Sequence, residues 1–289
     1  MAGELYVVAT PIGNLGDMVP RAVEVLQAVD IIAAEDTRHS GRLMNHLGIK
    51  TPLIAYHDHS DDRKVDKLVE ILKQGKSVAL ISDAGTPLIS DPGYKLVRTI
   101  RQQGFKVVPI PGPCALVAAI CASGLPSDRF SFEGFAPAKS SARIKVLQSL
   151  AEESRTLVFY ESPHRIVQAL ADMVSVFGES RQIVMARELT KTYETFLVGT
   201  LAEVHRQVAS DSNQQKGEIV LILKGADVEE GIDDTEQRRV LSLLLDELPL
   251  KQAAALAAKI TGGQKNALYQ MALDLKKHRP KECCLSNAR

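Results

Sequence analysis

The sequence has no apolar stretch near the ~18 residues that a membrane-spanning helix requires. Its first residues, Met1–Tyr6, carry Glu4 and no Lys or Arg. A secretory leader needs a basic start and a longer apolar run, so the expected location is the cytoplasm, with no membrane partner. Cysteine is scarce: Cys114, Cys121, Cys283 and Cys284 form no C-x-x-C pair. That spacing speaks against a zinc site or a disulfide framework. Cys114 and Cys121 fall in an apolar helical stretch and read as buried free thiols; Cys283 and Cys284 read as part of a frayed tail. Net charge is also lacking, at zero over 289 residues. The balance conceals an asymmetry. Residues 235–289 carry a surplus of five basic residues, and the rest of the chain a deficit of five. A basic tail on an acidic body suits an anionic partner, although a solvated helical surface reads the same way.

Phosphate-binding glycine loops are missing too. Neither G-x-x-x-x-G-K-[ST] nor G-x-G-x-x-G occurs at the first loop, Thr10–Asp17, which removes support for a kinase, an NTPase or a Rossmann dehydrogenase. No G-x-S-x-G supports a hydrolase. The run Tyr56-His57-Asp58-His59 offers two histidines and one carboxylate, but spacing supplies no further ligand, so no metal is expected.

What is present is strand–helix alternation. Leu5–Ala9, Ile31–Ala34, Val78–Ile81 and Val107–Ile110 are short Val/Ile-rich runs bounded by turn residues, and read as buried strands. Arg21–Val29, Arg38–Leu47, Arg63–Lys73 and Tyr94–Gln103 between them read as helices, which implies a mostly parallel sheet. After Pro126 the pattern changes. Arg129–Phe135, Thr156–Tyr160, Gln182–Arg187, Tyr193–Leu197 and Glu218–Leu223 are expected strands; Ala142–Leu150, Ile166–Val176 and Leu201–Val208 are expected helices. No crossover helix flanks Glu188–Glu194, so a mixed sheet is expected there. Residues 225–234 read as an acidic linker. Three helices follow, Glu236–Glu247, Leu250–Ile260 and Lys265–Lys277, broken by Pro249 and by Gly262-Gly263. The expected domains are 1–115, 116–225 and 234–280.

Ligands of open α/β sheets bind beyond the carboxyl ends of the strands. Four unusual loops start at such ends: Thr10–Asp17, Glu35–Arg38, Ser82–Gly93 and Pro111–Ala115. The third packs two Asp, two Pro and two Gly into twelve residues. Glycine lets backbone approach a ligand closely, and proline fixes a loop's shape. Asp83 can accept from ribose hydroxyls or an amino group, and Asp91-Pro92 reads as a helix start with Asp91 as N-cap. Glu35–His39 holds more polar residues than a cap requires. Arg187–Glu194 is densely charged between two apolar strands and reads as an anion-binding or proton-transfer site.

The segment S-D-A-G-T-P-L-I-S-D-P-G (Ser82–Gly93) resembles a signature of the class III S-adenosylmethionine (SAM) methyltransferases of the tetrapyrrole methylase-like superfamily, in its small-subunit ribosomal RNA branch. Thr10–Leu15, Ala33–His39, Pro111–Ala115, Leu125–Phe130, Phe159–Arg165, Ala186–Lys191 and Lys216–Ile222 are similar to the same branch, as are Glu247–Ala258 and Lys265–Tyr269. The resemblance runs from about residue 4 to 275. It implies two α/β domains (tetrapyrrole methylase-like) with SAM in the cleft between them, plus a small all-helical C-terminal domain. It further implies a homodimer and 2′-O-methylation of cytidine 1402 of 16S rRNA, within the 30S subunit. SAM is then expected at Pro11, Asp83, Ala84, Gly85, Thr86, Ala115, Phe159 or Tyr160, and the Gly217-Glu218 turn. Tetrapyrrole-modifying relatives open with a G-x-G-P-G-type loop, which Thr10-Pro11-Ile12-Gly13 departs from.

A ribose hydroxyl is a weak nucleophile and gains from a general base or an oxyanion-stabilising field. Glu188 or Asp36 is the expected proton acceptor, with Arg38, Arg187 and Lys191 holding phosphate or lowering the hydroxyl pKa. The tail reads as helix, glycine turn, helix, which suits nucleic acid. Lys251, Lys259, Lys265 and Asn266 are the expected RNA contacts, and Ala253, Leu256, Ala257 and Ile260 the expected core; a bundle that only packs or dimerises reads similarly. A small-molecule methyltransferase and a non-catalytic SAM- and RNA-binding protein stay open as alternatives.

Overall fold

The computed structural model describes residues 3–57, 62–227 and 234–277. Asp58, His59, Cys283, Cys284, most of the expected 225–234 linker and the end of the expected 234–280 domain lie outside them. The chain divides at Ala226/Asp227 into two compact units.

The larger unit opens with β1 (Glu4–Val8), α1 (Pro20–Ala28), β2 (Ile31–Ala34), α2 (Thr37–His46), β3 (Leu53–Ala55), α3 (Asp62–Lys73), β4 (Val78–Ile81), α4 (Tyr94–Gln102) and β5 (Lys106–Ile110). These strands form one wholly parallel sheet in the order β3-β2-β4-β1-β5. Period-2 alternation explains why β4 is buried on both faces. Val78 and Leu80 join Leu5, Leu68 and Leu96 on one side, while Ala79 and Ile81 join Leu26, Ile32 and Met44 on the other. The short edge strand β3 had no periodic signal. Asp91-Pro92 does not start α4: the N-cap is Gly93 at φ 135°, and the helix begins at Tyr94. Asp91 lines the cavity described below instead.

Next come α5 (Ala115–Ser123), β6 (Phe130–Phe135), α6 (Ser140–Ser149), β7 (Thr156–Glu161), α7 (Ile166–Phe177), β8 (Gln182–Arg187), β9 (Thr195–Thr200), α8 (Leu201–Ser210) and β10 (Ile219–Leu223). Their sheet is mixed, in the order β6-β7-β10-β8-β9, with only β6 and β7 parallel. Phe159, Met185 and Leu221 face the core shared with α7 and α8; Val158, Val184 and Val220 face α5. Strand β9 starts two residues later than expected because Thr190–Glu194 forms a turn, closed by the Thr190 amide donating to Glu194 Oε2 at 2.6 Å. The two cysteines of this stretch are not buried. Helix α5 buries Leu116, Ala119, Ile120 and Ser123, which leaves Cys114 half-buried and Cys121 exposed.

The second unit holds α9 (Asp234–Glu247), α10 (Leu250–Thr261) and α11 (Lys265–Lys277) around Leu241, Ala253, Ala257, Leu268 and Ala272. Gly262, at φ 72°, supplies the left-handed turn that ends α10. The buried stripe of α10 is Ala253, Ala254 and Ala257, so Leu256 and Ile260 are exposed, contrary to expectation. Small alanines let the neighbouring helices approach closely along that stripe, and the larger side chains turn outward. Among the described residues, no helix is long and apolar enough to cross a membrane.

Candidate active site

The parallel sheet puts the carboxyl ends of β1, β2, β4 and β5 on one edge, and the loop after β4 ties the other three loops together. Thr10 and Gly85 form a two-way backbone bridge at 2.9 and 3.0 Å. The Asp36 amide donates to Asp83 Oδ1 at 3.0 Å, and the Thr86 hydroxyl donates to the Pro113 carbonyl at 2.9 Å. Gly85 sits at φ 79°, where an added Cβ would also come within 3.3 Å of Ile12. Glycine is required there because L side chains strain in that region.

These loops, with residues of the mixed sheet, enclose a cavity of about 460 Å³, well inside the size range of small-molecule sites. Its lining includes the carboxylates Glu35, Asp83, Asp91, Glu161 and Glu218 and, among the described residues, no Lys, Arg or His. Burial raises the Glu35 carboxyl above its ordinary range, and the charges of Asp83 and Asp91 add to that. Burial likewise raises Asp91, with Asp83 adding to it. Crowded carboxylates with raised pKa values are stabilised by a cation. Glu161 is 2 % exposed. Its Oε1 accepts from the Ser162 amide and the Arg165 guanidinium, while its buried Oε2 has no partner among the described residues. The Tyr160 hydroxyl accepts from the Leu116 amide at 3.1 Å, and burial raises its pKa.

A second, basic basin of about 360 Å³ adjoins this cavity. The two share Ile12, Asp83, Ala84 and Glu218. Every basic side chain lining the two spaces lines the basin: His39, Arg42, His46 and Lys191. The Lys191 ammonium bridges Glu188 Oε1 at 2.8 Å and Glu218 Oε2 at 3.2 Å. Burial alone would raise the Glu188 carboxyl, but Lys191 and the Glu218 amide together take it below its ordinary value. Two glycines make room for this bridge. A Cβ at Gly13 would lie 2.4 Å from Lys191 Cγ, and one at Gly217 would lie 2.3 Å from the Glu188 carboxylate. The positive-φ non-glycine residues among those described are Leu88, Ser90, Glu188 and Thr190. All belong to two loops around the cavity, where backbone strain often serves a site.

Asp83, Ala84, Gly85, Thr86, Ala115, Tyr160, Gly217 and Glu218 line the cavity, and Pro11 and Lys191 line the basin. Phe159 lines neither; strand alternation turns it into the opposite core at 1 % exposure. Asp36 caps α2 through the Arg38 amide and pairs with the Arg38 side chain, which holds its carboxyl down at about 2. Neither Asp36, Arg38 nor Glu188 lines either space. Arg187 is buried and lines neither space. Its buried guanidinium donates to Gln214 Oε1, Thr195 Oγ1 and the Tyr193 and Lys216 carbonyls, clamping the loops on both sides of the Glu188 turn. The sequence reading missed Glu161, Arg42 and His46. Glu161 ends a buried strand and Arg42 and His46 sit in an ordinary amphipathic helix, so only the fold brings them to the site. In the second unit, Lys251, Lys259, Lys265 and Asn266 are exposed.

Residues 4–205 match the family model of Tetrapyrrole (Corrin/Porphyrin) Methylases, and residues 231–276 match the model of the RsmI C-terminal HTH domain. The chain is 59% identical over 274 residues to the Ribosomal RNA small subunit methyltransferase I of Pseudomonas aeruginosa, covering 94% of this chain and 97% of that protein. A protein of the same name from Escherichia coli O157:H7 is 56% identical over 94% of this chain and 95% of its own length. Among solved structures, the uroporphyrin-III-C-methyltransferase of Thermus thermophilus superposes with a TM-score of 0.55 at 17% identity, over 77% of this chain and 94% of its own. A cobalt precorrin-4 methyltransferase of cobalamin biosynthesis gives 0.58 at 15%, over 76% and 94%. At that identity the likeness concerns the fold.

Proposed function

The chain belongs to the tetrapyrrole (corrin/porphyrin) methylase family, and from that premise we propose that it methylates small-subunit ribosomal RNA with SAM as donor, at the ribose 2′-oxygen of cytidine 1402 of 16S rRNA. The observation that carries this reading is the placing of charge across the joined spaces: all basic side chains of their described linings lie in the basin, while Glu35, Asp91 and Glu161 line the cavity alone. The names of the relatives supply the ribosomal RNA, and the helix-turn-helix match of the second unit supports a nucleic-acid partner.

The cavity fits SAM by size and by charge. SAM carries a sulfonium and an ammonium against one carboxylate, and a lining that holds Glu35, Asp83, Asp91 and Glu161 suits that net positive charge. Asp83, Ala84, Gly85, Thr86, Ala115, Tyr160, Gly217 and Glu218 would hold it, and Glu161 Oε2 would find the donor it lacks. When bound, SAM supplies an electrophilic methyl group. The residues then have three tasks. The loop bridges from Ser82–Gly93 fix the site, since alignment of reacting atoms can supply ~7–11 kcal/mol. Lys191, on the basin wall, stabilises negative charge developing on the ribose oxygen. Glu218, which lines both spaces, is the acceptor for the hydroxyl proton; it is better placed than Asp36 or Glu188, which line neither.

The chain works as a homodimer on the assembled 30S subunit in this reading. Labelled methyl transfer tests it, with 30S subunits from cells lacking the enzyme, free 16S rRNA and uroporphyrinogen III as acceptors. Label in 30S subunits alone supports the reading; label in the tetrapyrrole, or in nothing while SAM binds, overturns it.

A further inference from the structure

Helix α2 reads T-R-H-S-G-R-L-M-N-H and contains no acidic residue. His39, Arg42 and His46 follow one another at i, i+3 and i+7, so they share one face, while Ser40 and Met44 on the other side are buried. That basic face is one wall of the basin. His39, Arg42 and His46 are exposed. Among the described residues their side chains make no hydrogen bond or ion pair, unlike that of Lys191, which Glu188 and Glu218 engage, and that of Arg38, which Asp36 engages. Three unpaired donor side chains therefore line a concave space, next to a cavity whose carboxylates repel anions.

We propose that His39, Arg42 and His46 form a backbone-phosphate site for the strand that carries the target ribose. The inference rests on the proposed RNA methylation and adds where the strand lies. From His39 to His46 the helix rises ~10 Å, a length that serves consecutive phosphates rather than one. Arg42 supplies a fork for bidentate phosphate contact, and the imidazoles supply N–H donors on either side. Pro11, Leu15 and Leu43 give the same basin apolar surface for ribose and base edges. With phosphates held here, the adjoining ribose enters the junction at Asp83 and Glu218, and the acidic cavity stays free of the polyanion.

The test uses the full chain and 30S subunits from cells lacking the enzyme. Affinity is measured against salt for wild type, Arg42→Ala, Arg42→Lys and the triple variant His39→Ala/Arg42→Ala/His46→Ala. SAM affinity and the subunit KM are measured alongside. The triple variant should raise KM at least tenfold and leave SAM affinity unchanged. Its plot of log affinity against log salt should be shallower by about 0.7 for each lost single-strand phosphate contact. Arg42→Lys should recover most of the slope lost by Arg42→Ala. An unaltered salt slope and KM in the triple variant would overturn the phosphate site, and wild-type methylation of 30S subunits in the same experiment would leave the RNA reading standing. Wild type that neither binds nor methylates the subunit would overturn both. Weaker binding of the triple variant to 30S subunits, with its affinity for free 16S rRNA and that affinity's salt slope unaltered, would assign the face to a protein partner and overturn the phosphate site.

Discussion

At the scale of single residues, the cavity is defined by the crowded carboxylates of its lining. Glu161 is the sharpest case: Arg165 and the Ser162 amide occupy its Oε1, and its buried Oε2 has no partner among the described residues. Glu161→Gln should weaken SAM binding about tenfold, ~1.4 kcal/mol, in a calorimetric titration; unchanged affinity in a folded variant removes Glu161 from the cofactor site. Glu35 and Asp91 give a pH signature. Both carboxyls are raised in the fold, by burial first and neighbouring charge second. Raised groups hold protons more tightly than in the unfolded chain, so their contribution favours the fold at low pH and is lost as pH rises through the raised values. A bound cation pulls them back down, so SAM binding should release protons just above the ordinary carboxylate range, and affinity should rise with pH there. Titrations in buffers of different ionisation heat measure that release; proton uptake or none contradicts the charge argument. Sequence showed Asp83 and Gly85 as parts of an unusual loop. Glu161 was invisible because an acid at the end of a buried strand has no local signature.

At the scale of elements, alternation and turn chemistry made most strands and helices legible, within a residue or two at their ends. The misses have physical causes. Strand β3 is three residues long, too short to show a period. Helix α10 rotates its alanines inward and leaves Leu256 and Ile260 outside, a choice set by how closely helices can approach rather than by hydrophobicity. Tertiary pairing also fixes elements that sequence reads as merely polar. Arg143 of α6 is 1 % exposed and ion-paired to Asp172 of α7 at 2.7 Å, with further donations to the Pro137 and Ala138 carbonyls. Removing one member strands a buried charge, at a cost of ~3–5 kcal/mol. Asp172→Ala should therefore lose about that much stability in urea unfolding, whereas Arg143→Met/Asp172→Leu together should lose far less; equal losses would mean packing dominates. Gly217 makes a similar point. A Cβ there meets the Glu188 carboxylate and the backbone sits at φ 80°, so Gly217→Ala should displace Glu188 and lower kcat more than it lowers stability, read from turnover and melting together.

At the scale of the whole molecule, two sheets with different strand polarity converge on one acidic cavity, and a separate helical unit carries exposed Lys251, Lys259, Lys265 and Asn266. The fold class and the two kinds of sheet were legible from the change of pattern after Pro126. The division of charge between cavity and basin was not, because its residues come from segments far apart in the chain. Replacing Lys251, Lys259, Lys265 and Asn266 together by Ala should weaken 30S binding and flatten its salt dependence while SAM affinity holds; unchanged subunit affinity rejects an RNA role for the tail. The central claim concerns the atom that is methylated. The direct measurement is alkaline hydrolysis and mass analysis of 16S rRNA after reaction of 30S subunits with the enzyme and labelled SAM. The account predicts label in a single alkali-resistant dinucleotide containing cytidine 1402, because a 2′-O-methyl group blocks cleavage at that ribose. Label on a base, or label released by alkali, contradicts it.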